Sequence, residues 1–169
     1  MAQTSTTLIS ARSHITSITG TDISLSATAG VYTISATSTV LTGAGKLAVG
    51  DLITVSGSAS NNSTFTVSTV VSTTELTVAE VVTSENADGS STITLDHVGF
   101  VSDKAKGDGY YSQPDGVHTV AYQVANDFNA NATIKMQGTL ATTPTEDDWF
   151  DIANTTFTAD GSTVTSSYN

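Results

Sequence analysis

Histidine and serine are the residue types in this chain that could support metal binding or nucleophilic catalysis. The three histidines are His14, His97 and His118, and none has a histidine or carboxylate two, three or four positions after it. Serine is abundant, but the Gly-x-Ser-x-Gly turn that exposes a serine nucleophile does not occur. A catalytic triad also needs an oriented base and a partner for that base, which abundance does not supply. The spacing therefore predicts neither a metal site nor a catalytic triad.

Two groups of carboxylates could supply the oxygen ligands that calcium requires. They are Asp103, Asp108 and Asp115 in a glycine-rich segment, and Glu146, Asp147, Asp148 and Asp151 around Trp149. Neither group has the spacing of an EF-hand loop or the glycine-rich repeat of calcium-bound β-rolls. We therefore interpret both groups as solvated turns of an acidic protein.

Other reactive groups are missing from the sequence. The chain has no cysteine, which excludes disulfides, zinc–thiolate sites and a thiol nucleophile. The segment Gly43-Ala44-Gly45-Lys46 lacks the strand-to-helix context of a phosphate-binding loop. We predict that the protein is not an enzyme and binds no cofactor or metal.

The chain is strongly acidic, with 16 Asp and Glu against 5 Lys and Arg and a net charge of −11. Nucleic acids and anionic membranes are normally bound by clustered Lys and Arg. The first residues lack the basic and apolar regions of a secretory signal, and no apolar run is long enough for a membrane span. We expect a protein made in a cytoplasm that binds neither nucleic acid nor membrane.

The elements that would position any site are short strands in which apolar and polar residues alternate. In residues 50–67, Ile53 and Val55 alternate with polar residues before a turn rich in Ser and Asn, and Phe65 and Val67 alternate after it. Further strands are predicted at 23–27, 31–36, 75–79 and 91–95. Short strands at near-regular spacing predict a small antiparallel barrel or sandwich.

Composition divides the chain into four segments. We predict an N-terminal arm at 1–20, a small β-barrel or sandwich module at 21–97, a linker at 98–116 and a second β-sandwich module at 117–169. The second module has few and short strands, and such strands need partners to be stable. Either a neighbouring subunit completes its sheet or the chain continues beyond Asn169.

Several large side chains are candidates for contacts between subunits. Trp149 and Phe150 are adjacent, so on a strand they face opposite sides and one is left toward a neighbour. The arm and the linker carry further apolar and aromatic residues. The full set of contact candidates is Leu8, Ile9, Ile15, Ile18, Tyr110, Tyr111, Trp149 and Phe150.

Residues 49–67 resemble a β module that recurs in virion proteins of tailed bacteriophages. In that module a Gly-Asp-x-Ile-x-Val-Ser-Gly strand is followed by Asn-Asn/Asp-Gly-Thr-Phe-Thr-Val, and Ser63 here takes the place of the usual glycine. Residues 80–93 are similar to the tail of the same module. Residues 131–140, together with 147–150, resemble β-sandwich modules of phage structural proteins, including those of marine cyanobacterial phages.

The resemblance implies a non-enzymatic virion protein that decorates or cements the capsid. Such a protein would dock on the major capsid protein, or on other virion proteins, through β edges and the N-terminal arm. A homotrimer is the preferred state, because three-fold positions are common docking points on icosahedral shells. The alternatives are a tail, neck or baseplate component, a bacterial surface adhesin, or a carbohydrate-binding module on a fibre whose Trp149 and Tyr111 stack on sugars.

Overall fold

The computed structural model describes residues 15–102, 120–124, 133–158 and 164–168. Within these ranges the regular secondary structure consists of antiparallel strands and one 3₁₀ turn, Glu146–Asp148. The prediction of an all-β fold is confirmed. The chain divides into two units, Met1–Lys104 and Ala105–Asn169.

Seven strands form the sheet of the first unit. They are β1 (Ile18–Gly20), β2 (Ile23–Thr28), β3 (Val31–Ala36), β4 (Asp51–Ser56), β5 (Thr64–Ser72), β6 (Glu75–Val78) and β7 (Ile93–Phe100). Their order in the sheet is β1–β7–β4–β5–β6–β3–β2. The outermost strands, β1 and β2, are consecutive in the chain and only residues 21 and 22 separate them. So short a connection brings the two ends of the sheet close together, as in a barrel-like fold.

Strand β5 lies at the centre of this sheet, between β1–β7–β4 on one side and β6–β3–β2 on the other, and it lets the sheet curl. Its residues 64–66 pair with β4, and four of its residues 67–72 pair with β6. The register with β6 shifts between Val67 and Thr69 and again between Val70 and Ser72. Such irregularities bend a strand and increase its twist.

A single hydrophobic core lies inside the curled sheet. All seven strands contribute to it, and within β4 the buried Ile53 and Val55 alternate with the more exposed Thr54 and Ser56. The hairpin predicted over residues 50–67 is therefore confirmed. The core residues are Ile15, Ile18, Ile23, Leu25, Ile34, Leu41, Leu47, Ile53, Val55, Phe65, Val67, Leu76, Val78, Val82, Ile93 and Leu95. Burial of each such side chain contributes about 1.5–3 kcal/mol.

Two predicted boundaries differ from the structure. Ile15 and Ile18 fall within the predicted arm, but both are buried in the core, and Ile18 lies opposite Leu95 in the β1–β7 pair. At the other end, residues 98–100 fall within the predicted linker but belong to β7, where Phe100 pairs with Asp51. In both places long-range pairing extends the sheet into segments whose local composition is that of a connection.

The second unit contains short antiparallel pairs. Its strands are β8 (Val120–Val124), β9 (Thr133–Ile134), β10 (Gln137–Gly138), β11 (Phe150–Asp151), β12 (Phe157–Thr158) and β13 (Val164–Tyr168). They form three two-stranded sheets, β8 with β13, β9 with β12, and β10 with β11. Short strands were expected within 117–169, and four of the six strands that the structure describes there have only two residues.

Candidate functional site

Two positions of the motif that begins at Gly50 accept only glycine. Gly50 has φ +87°, and a Cβ there would lie 2.7 Å from the carbonyl oxygen of Val101. Gly57 has φ +79°, and a Cβ there would lie 2.1 Å from the carbonyl oxygen of Thr92. The first glycine brings the start of β4 against the end of β7, and the second brings the end of β4 against the start of β7. Both are requirements of the framework.

Asp51, the acidic residue of the same motif, is completely buried. One of its carboxylate oxygens accepts a hydrogen bond from the backbone N–H of Ala48 at 2.7 Å. The other lies 3.6 Å from Nε2 of His97, whose side chain is 6% exposed. The aspartate thus closes the turn before β4 and lies beside the histidine of β7 in the interior of the unit.

The loop after Gly57 is organised around the carboxylate of Glu85. That carboxylate accepts hydrogen bonds from the hydroxyl of Ser58 at 2.5 Å, from the backbone N–H of Ala59 at 2.8 Å and from that of Ser60 at 3.3 Å. These donors, led by the Ser58 hydroxyl, lower the pKa of Glu85. The backbone of Glu85 also pairs with Leu25 at the outer edge of β2. One residue therefore joins a loop, a long connection and an edge strand.

The buried side chain of Asn61 completes this network. Its amide oxygen accepts from the backbone N–H of Thr83 at 2.7 Å, and its amide nitrogen donates to the carbonyl of Thr83 at 3.0 Å. The same nitrogen donates to Glu85 at 3.1 Å. Asn61 therefore pairs with residue 83 as a strand backbone would. Asn62 clamps the loop in a similar way, through two hydrogen bonds to the backbone of Ser58.

Other acidic residues of the first unit also serve as acceptors in turns. Glu80 accepts from the backbone N–H and the hydroxyl of Thr66. Hydrogen bonds from the hydroxyl and N–H of Thr39 and from Ser38 lower the pKa of Asp22. Those from Ser91 and Ser90 lower the pKa of Asp88 in the same way. In each case the carboxylate replaces a backbone acceptor and fixes a connection.

The acidic group near Trp149 is likewise engaged locally. Asp148 accepts hydrogen bonds from the backbone N–H and hydroxyl of Thr145, which lower its pKa. Asp151 accepts from Lys135 at 2.9 Å and from Gln137 at 2.8 Å, which lowers its pKa as well. Among the residues that the structure describes, no three or more His, Asp or Glu are placed to hold a metal ion. Asp103, Asp108, Asp115, His14 and His118 lie outside the described residues.

The structure divides the predicted contact residues into three groups. Ile15 and Ile18 are core residues of the first unit, so their side chains are not available at its surface. Trp149 is partly buried and follows the 3₁₀ turn, whereas Phe150 begins β11 and is 52% exposed. Leu8, Ile9, Tyr110 and Tyr111 lie outside the described residues. Phe150 is thus the predicted contact residue that the structure places most openly at a surface.

Sequence reasoning missed the apolar surface to which Phe150 belongs. Phe150 is paired with Gly138, and a Cβ on Gly138 would lie 3.6 Å from Cζ of Phe150 and 3.4 Å from Cδ1 of Ile152. Leu140 follows two residues after Gly138 and is 94% exposed. We call these four residues, Gly138, Leu140, Phe150 and Ile152, the ribbon face. The alternation of Phe150 and Ile152 along the sequence is the signal that could have revealed it.

Comparison with known proteins adds no identification. No helix in the described part of the chain is long and apolar enough to cross a membrane. No family model, curated protein or solved structure matches the chain.

Proposed function

We propose that this chain is a non-enzymatic structural protein of a tailed-phage particle that decorates or cements the capsid. The observation that carries the proposal is that polar residues in the motif that resembles virion proteins form hydrogen bonds within the framework. Asp51, Asn61 and Glu85 bond to backbone groups of loops and strand ends. Side chains that could do chemistry are thus committed to holding a small sheet rigid, which is what a particle component requires.

The outer face of the sheet also supports this role. Hydroxyl groups lie side by side across neighbouring strands, with Thr54 and Thr64 3.1 Å apart and Thr69 and Thr77 2.7 Å apart. Such cross-strand threonine pairs stabilise a sheet while leaving its surface uncharged. Together with a net charge of −11, this surface has little attraction for the DNA that a particle handles.

Docking in the proposed assembly uses strand edges and the N-terminal arm. Because Ile15 and Ile18 are part of the core, we assign the docking arm to residues 1–14. At Leu25 the outer edge of β2 already pairs with Glu85. We therefore assign the edge contact to β1, the three-residue strand at the other end of the sheet. A homotrimer at three-fold positions of the shell remains the preferred assembly, since closed symmetry is usual for oligomers.

The copy number of the chain in purified particles tests this proposal. A capsid role gives a copy number that scales with that of the major capsid protein, with the chain located on the shell in cryo-electron micrographs. A tail, neck or baseplate component gives a single ring of copies instead. Absence of the chain from particles, or turnover of a substrate by the purified chain, contradicts the proposal. Glycan binding lost in Trp149→Ala with assembly intact would favour a fibre module.

A further inference from the structure

The ribbon face is an apolar surface that stays exposed within the described part of the second unit. Phe150 and Ile152 both lie over Gly138, where a Cβ would be in van der Waals contact with each of them. Leu140, Phe150 and Ile152 are 94%, 52% and 37% exposed. Exposed apolar patches bounded by polar residues are typical of contact sites with other molecules. The polar side of the same ribbon is formed by Gln137 and Asp151, which bond to each other.

The charges around this face are mostly negative. Residues 133–158 contain four carboxylates and a single basic residue, Lys135. Lys135 is already paired with Asp151 at 2.9 Å. Asp147 and Asp148 are exposed and lie directly before Trp149 and Phe150. An occupant of the ribbon face therefore approaches a surface with a net negative charge.

We propose that the ribbon face binds another protein, through a segment of that protein in which apolar side chains are flanked by Lys or Arg. The apolar side chains would cover Leu140, Phe150 and Ile152, and the basic groups would meet the exposed carboxylates of Asp147 and Asp148. A second copy of this chain fits less well, because a symmetric contact would bring acidic segments of two chains of charge −11 together. The inference goes beyond the proposed function, since it specifies the chemistry of the partner wherever the protein is located.

A titration of the full chain with two synthetic peptides tests the proposal. Both peptides carry the same Leu and Phe residues, but one is flanked by Lys and the other by Glu. We expect the Lys-flanked peptide to shift the amide resonances of residues 137–140 and 150–152 in NMR spectra. Its affinity should fall about tenfold between low and high salt, because exposed charges are screened, and the Glu-flanked peptide should bind about tenfold more weakly.

Three variants separate this contact from general attraction to an acidic chain. Leu140→Ser and Phe150→Ser should each weaken binding of the Lys-flanked peptide about fivefold or more, as truncation of an apolar anchor does. Asp147→Asn should weaken that peptide and leave the Glu-flanked one unchanged or improved. The matched control is Val81→Ser, at a residue of the first unit that is 75% exposed, which should leave both affinities unchanged.

Several results would overturn the proposal. They are equal binding of the two peptides, amide shifts located elsewhere, and affinities that do not respond to Leu140→Ser and Phe150→Ser. Sedimentation of the chain alone provides a further test. Self-association that Leu140→Ser abolishes would show that a second copy covers the face instead. None of these results depends on whether the protein is found in phage particles, so the two proposals fail separately.

Discussion

The two units of this protein use the same alternating sequence pattern with opposite results. In the first unit, sixteen apolar residues form one buried core, twelve from the seven strands and four from the segments that connect or precede them. In the second unit, Thr155 is the one buried residue among those whose burial is described in 133–158. The first unit also uses polar side chains such as Asp51, Asn61 and Glu85 to bind its own backbone, whereas Phe150 of β11 and Leu140, which follows β10, remain exposed.

The difference shows that alternation creates an apolar face but does not bury it. Burial in the first unit depends on strands far apart in sequence, such as β1 and β7, meeting in one curled sheet. The described pairs of the second unit have two strands each, and an isolated two-stranded sheet is only marginally stable in water. A face of this kind is stabilised when another surface covers it.

The largest effect is expected for Gly57→Ala. The new Cβ would lie 2.1 Å from the carbonyl oxygen of Thr92, and alanine would have to adopt the left-handed backbone conformation of Gly57. The free energy of unfolding should therefore fall by about 4 kcal/mol, or the chain should fail to fold. Gly89→Ala is the matched control, because φ there is also positive but no atom lies within 4 Å of the Cβ. It should cost only about 1 kcal/mol. If urea unfolding gives the same loss of unfolding free energy for both variants, the close approach to Thr92 does not explain the requirement for glycine at position 57.

Leu76→Ala and Leu140→Ala compare the two units directly. Leu76 is fully buried, so its truncation should lower the free energy of unfolding by about 2–5 kcal/mol. Leu140 is 94% exposed, and its truncation should change stability by less than about 0.5 kcal/mol. Urea unfolding followed by circular dichroism measures both, while fluorescence of the single tryptophan, Trp149, reports on the second unit. Similar losses for the two variants would contradict the assignment of the core.

Glu85→Gln tests the network that ties the loop after Gly57 to the edge of β2. The amide nitrogen of Gln would replace one of the two accepting oxygens and would turn a donor toward either the hydroxyl of Ser58 or the N–H of Ala59. We therefore expect the free energy of unfolding to fall by about 1–2 kcal/mol at neutral pH. The pKa of Glu85 is lowered from 4.5 in the folded chain, so below pH 4.5 the unfolded state binds the proton first. The contribution of Glu85 is therefore present above pH 4.5 and is lost as pH falls through the folded pKa.

The pH profile of stability for wild type and Glu85→Gln measures this effect. The difference between the two should be constant near neutrality and should shrink in acid. Asp147→Asn, at an exposed carboxylate, serves as the control and should follow the wild-type profile within about 0.5 kcal/mol. A difference that grows as pH falls would show that Glu85 does not act as a charged acceptor.

The smallest effect is a gain of stability for Ala29→Asn. Ala29 and Gly30 connect β2 and β3 with positive φ at both residues, +51° and +80°, as in the type I′ turns that favour Asn-Gly. Asn adopts this conformation more readily than Ala, so the variant should gain about 0.5 kcal/mol. Gly30→Ala should lose about 1 kcal/mol by the same reasoning. A thermal shift in the opposite direction for either variant would contradict the turn geometry.

Much of the fold could be predicted, whereas little of the polar network could. The hairpin of β4 and β5 is visible in the alternation of Ile53, Val55, Phe65 and Val67, because strand period is a local property. The pairing of Asn61 with Thr83 is not visible, because it joins residues that are distant in sequence. The ribbon face could be predicted in part. A strand was expected at Trp149 and Phe150, but the exposure of the face depends on what packs against it.

The sequence by itself determined the all-β class, the strand alternation and the acidic, cysteine-free character of this protein. These depend on residue types and on the two-residue period of a strand, which need no knowledge of neighbours. Only the tertiary structure decided that Ile15 and Ile18 belong to the core, that Glu85 anchors a distant loop and that Phe150 lies at a surface. Each of these depends on which strands pair across the sheet, and pairing is a long-range choice that local composition does not encode.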